Sequence, residues 1–299
     1  MQVFSIIHSV MSLKSIIKHV IPANIKYKLK RQKRKLKNAL RIDAKATTLD
    51  DLNRVLTEQL GLKKGDRILV TSSFANLKAK DYSPQDVVKL LMEIVGEEGL
   101  IMMPYYPPIN SMEWVKSEQI FDMRITRSGM GVLTNVFSKM EGVVMSEHPF
   151  KAVCVWGKNA ASLAAGHRDC KIPYSKESPY GKVLSVPGSK SLCLGVVNLP
   201  MFHAIEDEVQ PLDTLYYDDH EYDVPLILKN GEHTICHTLV HSSEKTDGIV
   251  TPGTYAIHYK NPIRKKVKFG YDYIYLLDND LMRNEFYSEF AQGKSRRNP

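Results

Sequence analysis

Residues 67–104, RILVTSSFANLKAKDYSPQDVVKLLMEIVGEEGLIMMP, decide the fold. Arg67 to Ser73 is a short apolar run ending in hydroxyls, the pattern of a buried strand that hands over to a loop, Phe74 to Lys80. Ser83-Pro84 is a helix start: the serine is placed to cap and the proline is pre-set for the first helical position. Val87, Val88, Leu91, Met92 and Val95 then fall on one face, and Gly96 and Gly99 stop the helix. Gly99 to Pro104 is a second strand. A strand, helix, strand unit of this length closes most simply as a right-handed parallel crossover, so the stretch predicts an α/β domain.

Toward the N-terminus, Thr48 opens another helix, with Asp50 and Asp51 in its first turn, Leu49, Leu52, Val55, Leu56 and Leu60 as its apolar face, and Gly61 as its stop. Before residue 47 the composition changes. Residues 1–42 hold eleven Lys or Arg and no Asp or Glu, which leaves 30 basic against 33 acidic residues in the remainder. The net charge of +8 therefore belongs to the arm, and the body is mildly acidic. Phe4, Ile7, Met11, Ile17 and Ile21 recur near helical spacing before Pro22, and the run KYKLKRQKRKLK at Lys26–Lys37 follows. Such an arm either lies on an anionic membrane surface or packs as a solvated or subunit-binding segment. Nucleic acid fits less well, because the arm has few aromatics and the body offers no matching basic face.

No run of 18 apolar residues occurs, and the secretory signature is lacking, so the expected location is the cytoplasm, peripheral to the inner membrane face if the arm docks there. The four cysteines, Cys154, Cys170, Cys193 and Cys236, form no CxxC and read as reduced core thiols.

Downstream of the crossover, the Pro-rich and aromatic stretch Tyr105 to Trp114 reads as a binding loop beyond a strand end. Ser128 to Gly131 is a turn before a helix carrying Val132, Leu133, Val136 and Phe137, either a plain turn or one offering amides to a phosphate. His148 precedes a proline, which fixes an extended backbone ahead of the strand AVCVWG, and its role is catalytic, substrate-orienting or structural. Leu192 to Val197 is a buried strand that breaks at Asn198 and Pro200. His203 and Glu206 follow at i and i+3; on a helical turn the carboxylate would hold the imidazole's tautomer, as a general base requires, unless the histidine merely caps a helix.

The acidic residues Asp207, Glu208, Asp213, Asp218, Asp219, Glu221 and Asp223 suit a cationic partner or a solvated surface. Asn230-Gly231 marks a hairpin between Val224–Leu228 and Glu232–His241. His233, His237 and His241 would align on a helix, but in the strand that the hairpin demands they are too far apart to share an ion, so no metal is expected. Lys265 to Leu277 is one more strand region, and Leu281 to Phe290 a last helix.

Taken in order, GDRILVTSSF, EEGLIMMP, FDMRITRSGMGVLTNVF, SEHPFKAVCVWG, KESPYGKVL and LCLGVVNLPMFHAIE resemble the aminoglycoside 3-N-acetyltransferase family over roughly residues 47–290. The resemblance implies acetyl transfer from acetyl-CoA to a primary amine of a sugar, without metal. It implies His203 as general base, Glu206 as its orienting carboxylate, and Ser72, Ser73, Met130 and Gly131 along the coenzyme, with His148 and Ser178 as further site residues.

The sequence departs from the family at Thr71, at Ser146-Glu147, at Lys151 to Val153 and at Pro200-Met201, positions that border the acceptor and leave its identity open. With the basic arm, they favour an amino sugar bound for a cell-surface polysaccharide over an aminoglycoside antibiotic. A membrane-docked scaffold without activity is the alternative from another class. Backbone amides near Ser72 and Ser73 are the candidates for stabilising an oxyanion.

The expected architecture is thus a basic arm over 1–46 and a basic tail without order over 291–299. Between them, residues 47–290 form one α/β domain with a mixed, largely parallel sheet flanked by helices and a C-terminal antiparallel subregion. The oligomeric state stays open.

Overall fold

A computed structural model describes residues 44–299, so the expectations about the arm, its membrane contact included, lie outside the described residues. Lys45–Pro299 form one compact unit. Helix α1, Leu49–Arg54, starts where the sequence places it: Thr48 and Asp51 exchange side-chain and backbone bonds in a capping box, and the helix continues as a π turn, Val55–Gln59. Strand β1 is Arg67–Ser72, and helix α2, Pro84–Val95, is capped by a second such box between Ser83 and Asp86. Strand β2 is Leu100–Pro104, and β1 and β2 pair in parallel with Arg67 opposite Leu100.

The next elements are α3 (Ser111–Lys116), β3 (Phe121–Asp122), α4 (Val132–Phe137), β4 (Val144–Met145), β5 (Val153–Gly157), α5 (Ala160–Ala164) and α6 (Pro179–Leu184). They are followed by β6 (Ser189–Leu194), α7 (Met201–Val209), β7 (Tyr217–Ile227), β8 (His233–His241) and α8 (Pro252–Ala256). The hairpin β9 (Arg264–Phe269) and β10 (Asp272–Asp278) then leads into α9 (Asn279–Ala291).

The main sheet has the order β4-β5-β2-β1-β6-β10-β9. It is mixed and flanked by helices, but only its centre is parallel: β1 with β2 and β1 with β6, the four other pairings being antiparallel. The sequence suggests a more parallel sheet because the crossover that decides the fold is parallel, whereas β4, β5 and β10 join their neighbours antiparallel. Gly270 divides Lys265–Leu277, which reads as one strand region, into a tight β9–β10 hairpin, whose short connection allows only antiparallel neighbours. A second sheet, β3-β7-β8, carries the Asn230-Gly231 hairpin.

Central strands are buried on both faces, which explains their unbroken apolar runs. Ile68, Val70, Ile101, Met103, Leu192 and Leu194 point to one core, shared with α1, α2 and α4. Leu69, Leu100, Met102 and Cys193 point to the other, under α6, α7, α8 and α9. The helix between β1 and β2 thus covers one face and the helices leading to β6 and away from it cover the opposite face. β1 and β6 stay paired to their carboxyl ends at Ser72 and Leu194, and in α/β sheets ligands bind in the crevice outside such strand ends, where the covering helices change face. Thr71 lies at this end and donates from Oγ1 to the Asn198 carbonyl at 2.7 Å, tying β1 to the loop before α7.

Among the described residues no helix is long and apolar enough to cross a membrane.

Candidate active site

Helix α7 follows Pro200 and packs Met201, Phe202 and Ile205 into the core. This leaves His203 partly exposed and Glu206 buried beside it. His203 Nδ1 lies 3.3 Å from Glu206 Oε2, close but not aligned as a finished hydrogen bond. The imidazole side chain is 18% exposed and the carboxylate 1%. His203 Nε2 has no hydrogen-bond partner among the described residues, so the ring gives one nitrogen to the acid and keeps the other unpaired. Tyr174 stacks on one side of the ring at 4.9 Å between centroids, and His241 from β8 lies 4.8 Å away. His241 in turn stacks on Tyr217, whose hydroxyl donates to Asp207 Oδ2 at 2.6 Å.

Two cations face this cluster. Lys151 sets its ammonium over the Tyr106 ring at 4.8 Å and the Tyr174 ring at 5.8 Å. Arg296, in the C-terminal tail, donates from Nε to Glu206 Oε1 at 2.6 Å and is itself 4% exposed. Burial, reinforced by these two charges, holds His203 well below the usual imidazole range, and His241 likewise by burial and the neighbouring His203. Burial pushes Glu206 up to about 7 against the pull of Arg296. It pushes Asp207 up to about 8, and brings Lys151 down to about 8. The site therefore holds a neutral imidazole at neutral pH.

A cleft of 440 Å³ opens beside α7, lined by Tyr174, Lys176, Ala204, Asp207, Glu208 and Arg283 among others. Its volume is that of a small-molecule pocket. It shares Tyr174 with the histidine stack, although His203 itself is not part of its wall. Of the acidic residues noted in the sequence, Asp207 and Glu208 reach this cleft, whereas Asp219 and Glu221 pair with Lys245 and Lys171 on the second sheet.

The other anticipated residues divide. Ser72 and Gly131 do meet: a Cβ on residue 131 would stand 3.3 Å from the Ser72 carbonyl oxygen, at a φ of +110° that suits glycine. Ser72, Ser73, Met130 and Gly131 are all half-buried. The turn's amides are less free than the sequence suggests. Met130 N–H donates to Ser128 Oγ and Ser128 N–H to Asn135 Oδ1. Ser73 N–H donates to the Leu194 carbonyl at 2.8 Å, so it is spent on the sheet and cannot serve an oxyanion.

His148 is fully buried. Its Nδ1 accepts the backbone N–H groups of Phe150 and Lys151, each at 3.2 Å, which leaves the proton on Nε2 facing Thr238 Oγ1 at 3.3 Å. With both nitrogens engaged it holds the turn that carries Lys151, which fits the structural one of the three roles that the sequence leaves open. Ser178 is also fully buried, accepts from Gly181 N–H and donates to the Ser175 carbonyl. It caps α6, and the Ser-Pro step that marks this is the same signal that starts α2. His233, His237 and His241 lie along β8 as the hairpin requires, and no group of metal-binding side chains forms among the described residues.

Three members of the cluster escape sequence reading. His241 is hidden in a triplet whose spacing points only to a metal motif. Lys151 marks a departure from the family and carries no motif of its own. Arg296 belongs to a stretch that composition alone marks as a tail.

The family model for aminoglycoside 3-N-acetyltransferase matches residues 69–279. Among curated proteins, the chain is 29% identical over 170 residues to the SPbeta prophage-derived aminoglycoside N(3')-acetyltransferase-like protein YokD of Bacillus subtilis, covering 50% of this chain and 62% of that protein. It is 27% identical over 139 residues to aminoglycoside N(3)-acetyltransferase IV of Salmonella sp, covering 46% of this chain and 49% of that one. The matched stretch thus spans roughly half of these relatives. Among solved structures, the fold is similar to AAC-IIIb in a binary complex with CoASH, at a TM-score of 0.68 and 18% identity over 85% of this chain and 100% of the other. It is similar also to AAC-VIa bound to sisomicin, at 0.67 and 19%, over 83% and 98%.

Proposed function

The chain belongs to the aminoglycoside 3-N-acetyltransferase family, and from that premise we propose that it transfers the acetyl group of acetyl-CoA to a primary amine of an aminoglycoside-type amino sugar, with His203 as general base. The observation that carries the proposal is the His203–Glu206 pair on the helix that follows β6, with Nδ1 buried against the acid and Nε2 left without a partner among the described residues.

Acetyl-CoA supplies a thioester whose carbonyl carbon is open to attack by an uncharged amine; as the C–N bond forms the C–S bond breaks, and coenzyme A leaves as the thiol with the proton that the nitrogen gives up. We assign Ser72, Ser73, Met130 and Gly131 to its acyl arm, on their shared position beside the crevice. What this chain must do is take the proton that the attacking nitrogen loses. His203 Nε2 is the acceptor, since Nδ1 faces Glu206. The imidazolium so formed is stabilised by the carboxylate and by the π face of Tyr174. Its low proton affinity keeps the ring neutral and ready at neutral pH, at some cost in basicity. Asp207 and Glu208 on the cleft wall suit the ammonium groups of a polyamine sugar.

The names of the relatives support an aminoglycoside acceptor over an amino sugar of a cell-surface polysaccharide. The arm that suggests the latter lies outside the described residues. The test is coenzyme A release from acetyl-CoA in the presence of sisomicin, gentamicin or nucleotide-linked amino sugars, with a calorimetric titration of coenzyme A beside it. Turnover only with the nucleotide-linked sugars would move the acceptor assignment. Absence of coenzyme A binding would leave the scaffold reading in its place.

A further inference from the structure

The tail that composition sets apart is bonded into the domain. Val250 N–H donates to the Arg296 carbonyl at 3.2 Å, Arg296 Nη1 returns a bond to the Val250 carbonyl at 3.0 Å, and Ser295 and Asn298 exchange backbone bonds. Arg297 reaches the Lys245 carbonyl at 2.7 Å. Through these ties the guanidinium of Arg296 lies over the Tyr216 ring at 4.7 Å with Nε aimed at Glu206. A planar fork held at its backbone, its face and two of its nitrogens has little freedom left.

Glu206 has the opposite problem. A carboxylate 1% exposed on a helix packed against the core has lost its water and must find a charged partner or take up a proton. Its Oε1 goes to Arg296, and only Oε2 remains, facing His203 Nδ1.

We propose that the C-terminal tail completes the site, with Arg296 as a positioning residue that clamps Glu206 by Oε1 so that Oε2 orients His203. The inference rests on the catalytic reading of His203, and Arg296 acts through Glu206 without touching the substrate. The groups that face Glu206 are Arg296 from the tail, His203 and Asp207 from its own helix, Tyr216 and Tyr217 at the start of β7, and Tyr255 from α8. Lys151 and His241 reach it through the His203 ring. Among these Arg296 is the one permanent cation in contact with the acid. Its removal raises the proton affinity of both partners of the pair, and a protonated pair cannot accept a proton from the amine.

The test uses the full chain with Arg296→Met, Arg296→Lys, Glu206→Gln and the double variant E206Q/R296M. The His203 ring Cε1–H signal is titrated by NMR without substrate, and kcat/KM is measured against pH. The expected result for Arg296→Met is that the His203 titration and the acid limb of the rate profile both move up by about one pH unit or more. We also expect about a tenfold loss of kcat with unchanged coenzyme A affinity, partial recovery in Arg296→Lys, and little further loss when R296M is added to E206Q. A merely structural Arg296 would lower Tm and leave the titration in place, and that outcome overturns the proposal, as do equal losses from R296M with and without E206Q. Should Arg296→Met fail to fold, the uncharged but hydrogen-bonding Arg296→Gln is titrated instead: a His203 titration moved up upholds the clamp and an unmoved one overturns it. The NMR arm needs no turnover. A chain that acetylates nothing yet shows the shift refutes the enzymatic reading and keeps the clamp.

Discussion

The molecule contains a second buried-acid and histidine pair that makes an instructive contrast with His203–Glu206. In the α8–α9 layer, His258 Nε2 meets Glu289 Oε1 at 3.0 Å, and Glu289 Oε2 accepts the hydroxyls of Tyr255 and Tyr259 at 2.9 and 2.7 Å. His258 Nδ1 faces the Tyr255 carbonyl. Both nitrogens of that ring are engaged by groups of the fold itself. At His203 one nitrogen faces an acid and the other makes no hydrogen bond to the described residues. Proximity of a carboxylate to an imidazole is therefore common to both, and the open nitrogen separates a base from a strut.

The largest expected effect breaks the contrast at its centre. His203→Ala should lower kcat/KM by about 10²- to 10⁴-fold, the ordinary contribution of a general base, with coenzyme A binding intact by calorimetry. His258→Ala should leave turnover within about twofold of the parent and show its effect as a Tm lower by a few °C. Equal losses of turnover in both variants would erase the distinction.

The acids come next. Glu206→Gln should cost roughly tenfold in kcat, less than loss of the base itself, because the ring keeps its stack on Tyr174 but loses its anion. It also leaves Arg296 buried without a counter-charge, a situation that costs about 3 kcal/mol or more in stability by chemical denaturation. Glu289→Gln weakens the acceptor for two phenols and an imidazole and should be destabilising with normal kcat.

How far these sites are legible in the chain follows from the range of the signals. The central crossover rests on local chemistry: a capping serine at 83, a proline at 84, glycines at 96 and 99 and an apolar face between them, all within one short stretch. The pairing of His203 with Glu206 is likewise a matter of helical spacing. Arg296 meets Glu206 across 90 positions in sequence, and no pattern local to either end records it. His148 misleads for a related reason. Its neighbours in sequence mark a family motif, but the fold closes a turn over the ring and spends both nitrogens. One of the four antiparallel pairings, β9 with β10, is obscured by Gly270, whose φ of +54° turns what reads as one strand region into two.

Asp207 sharpens the comparison through pH. Its unfolded carboxyl titrates near the ordinary range, while burial pushes it to about 8 in the fold, so the folded chain binds the proton more tightly. That contribution to stability is complete below the unfolded value and is lost as pH rises toward 8, with a limiting slope of about 1.4 kcal/mol per pH unit. Glu206, at about 7, acts in the same direction, whereas the buried neutral histidines act oppositely as pH falls below the ordinary imidazole range. Comparing Asp207→Asn with the parent cancels the terms they share. The variant should gain relative stability steadily between about pH 5 and 8 in urea titrations, and a pH-independent difference would mean that Asp207 is ionised throughout.

The smallest effect belongs to a third pair, His237 Nδ1 with Asp223 Oδ1, as short as 2.6 Å yet set on the outer face of the hairpin with side chains 62% and 69% exposed. By distance alone it is the best made of the three. Water screens it, and ordering two exposed side chains offsets what little attraction remains, so His237→Ala should change stability by no more than about 0.5 kcal/mol and leave kcat as it was. The same imidazole–carboxylate contact thus ranges from a base to a strut to a surface ornament. Burial of the acid and vacancy of the second nitrogen decide which, and a His237→Ala variant with a large defect in either readout would show that contact distance matters more than both.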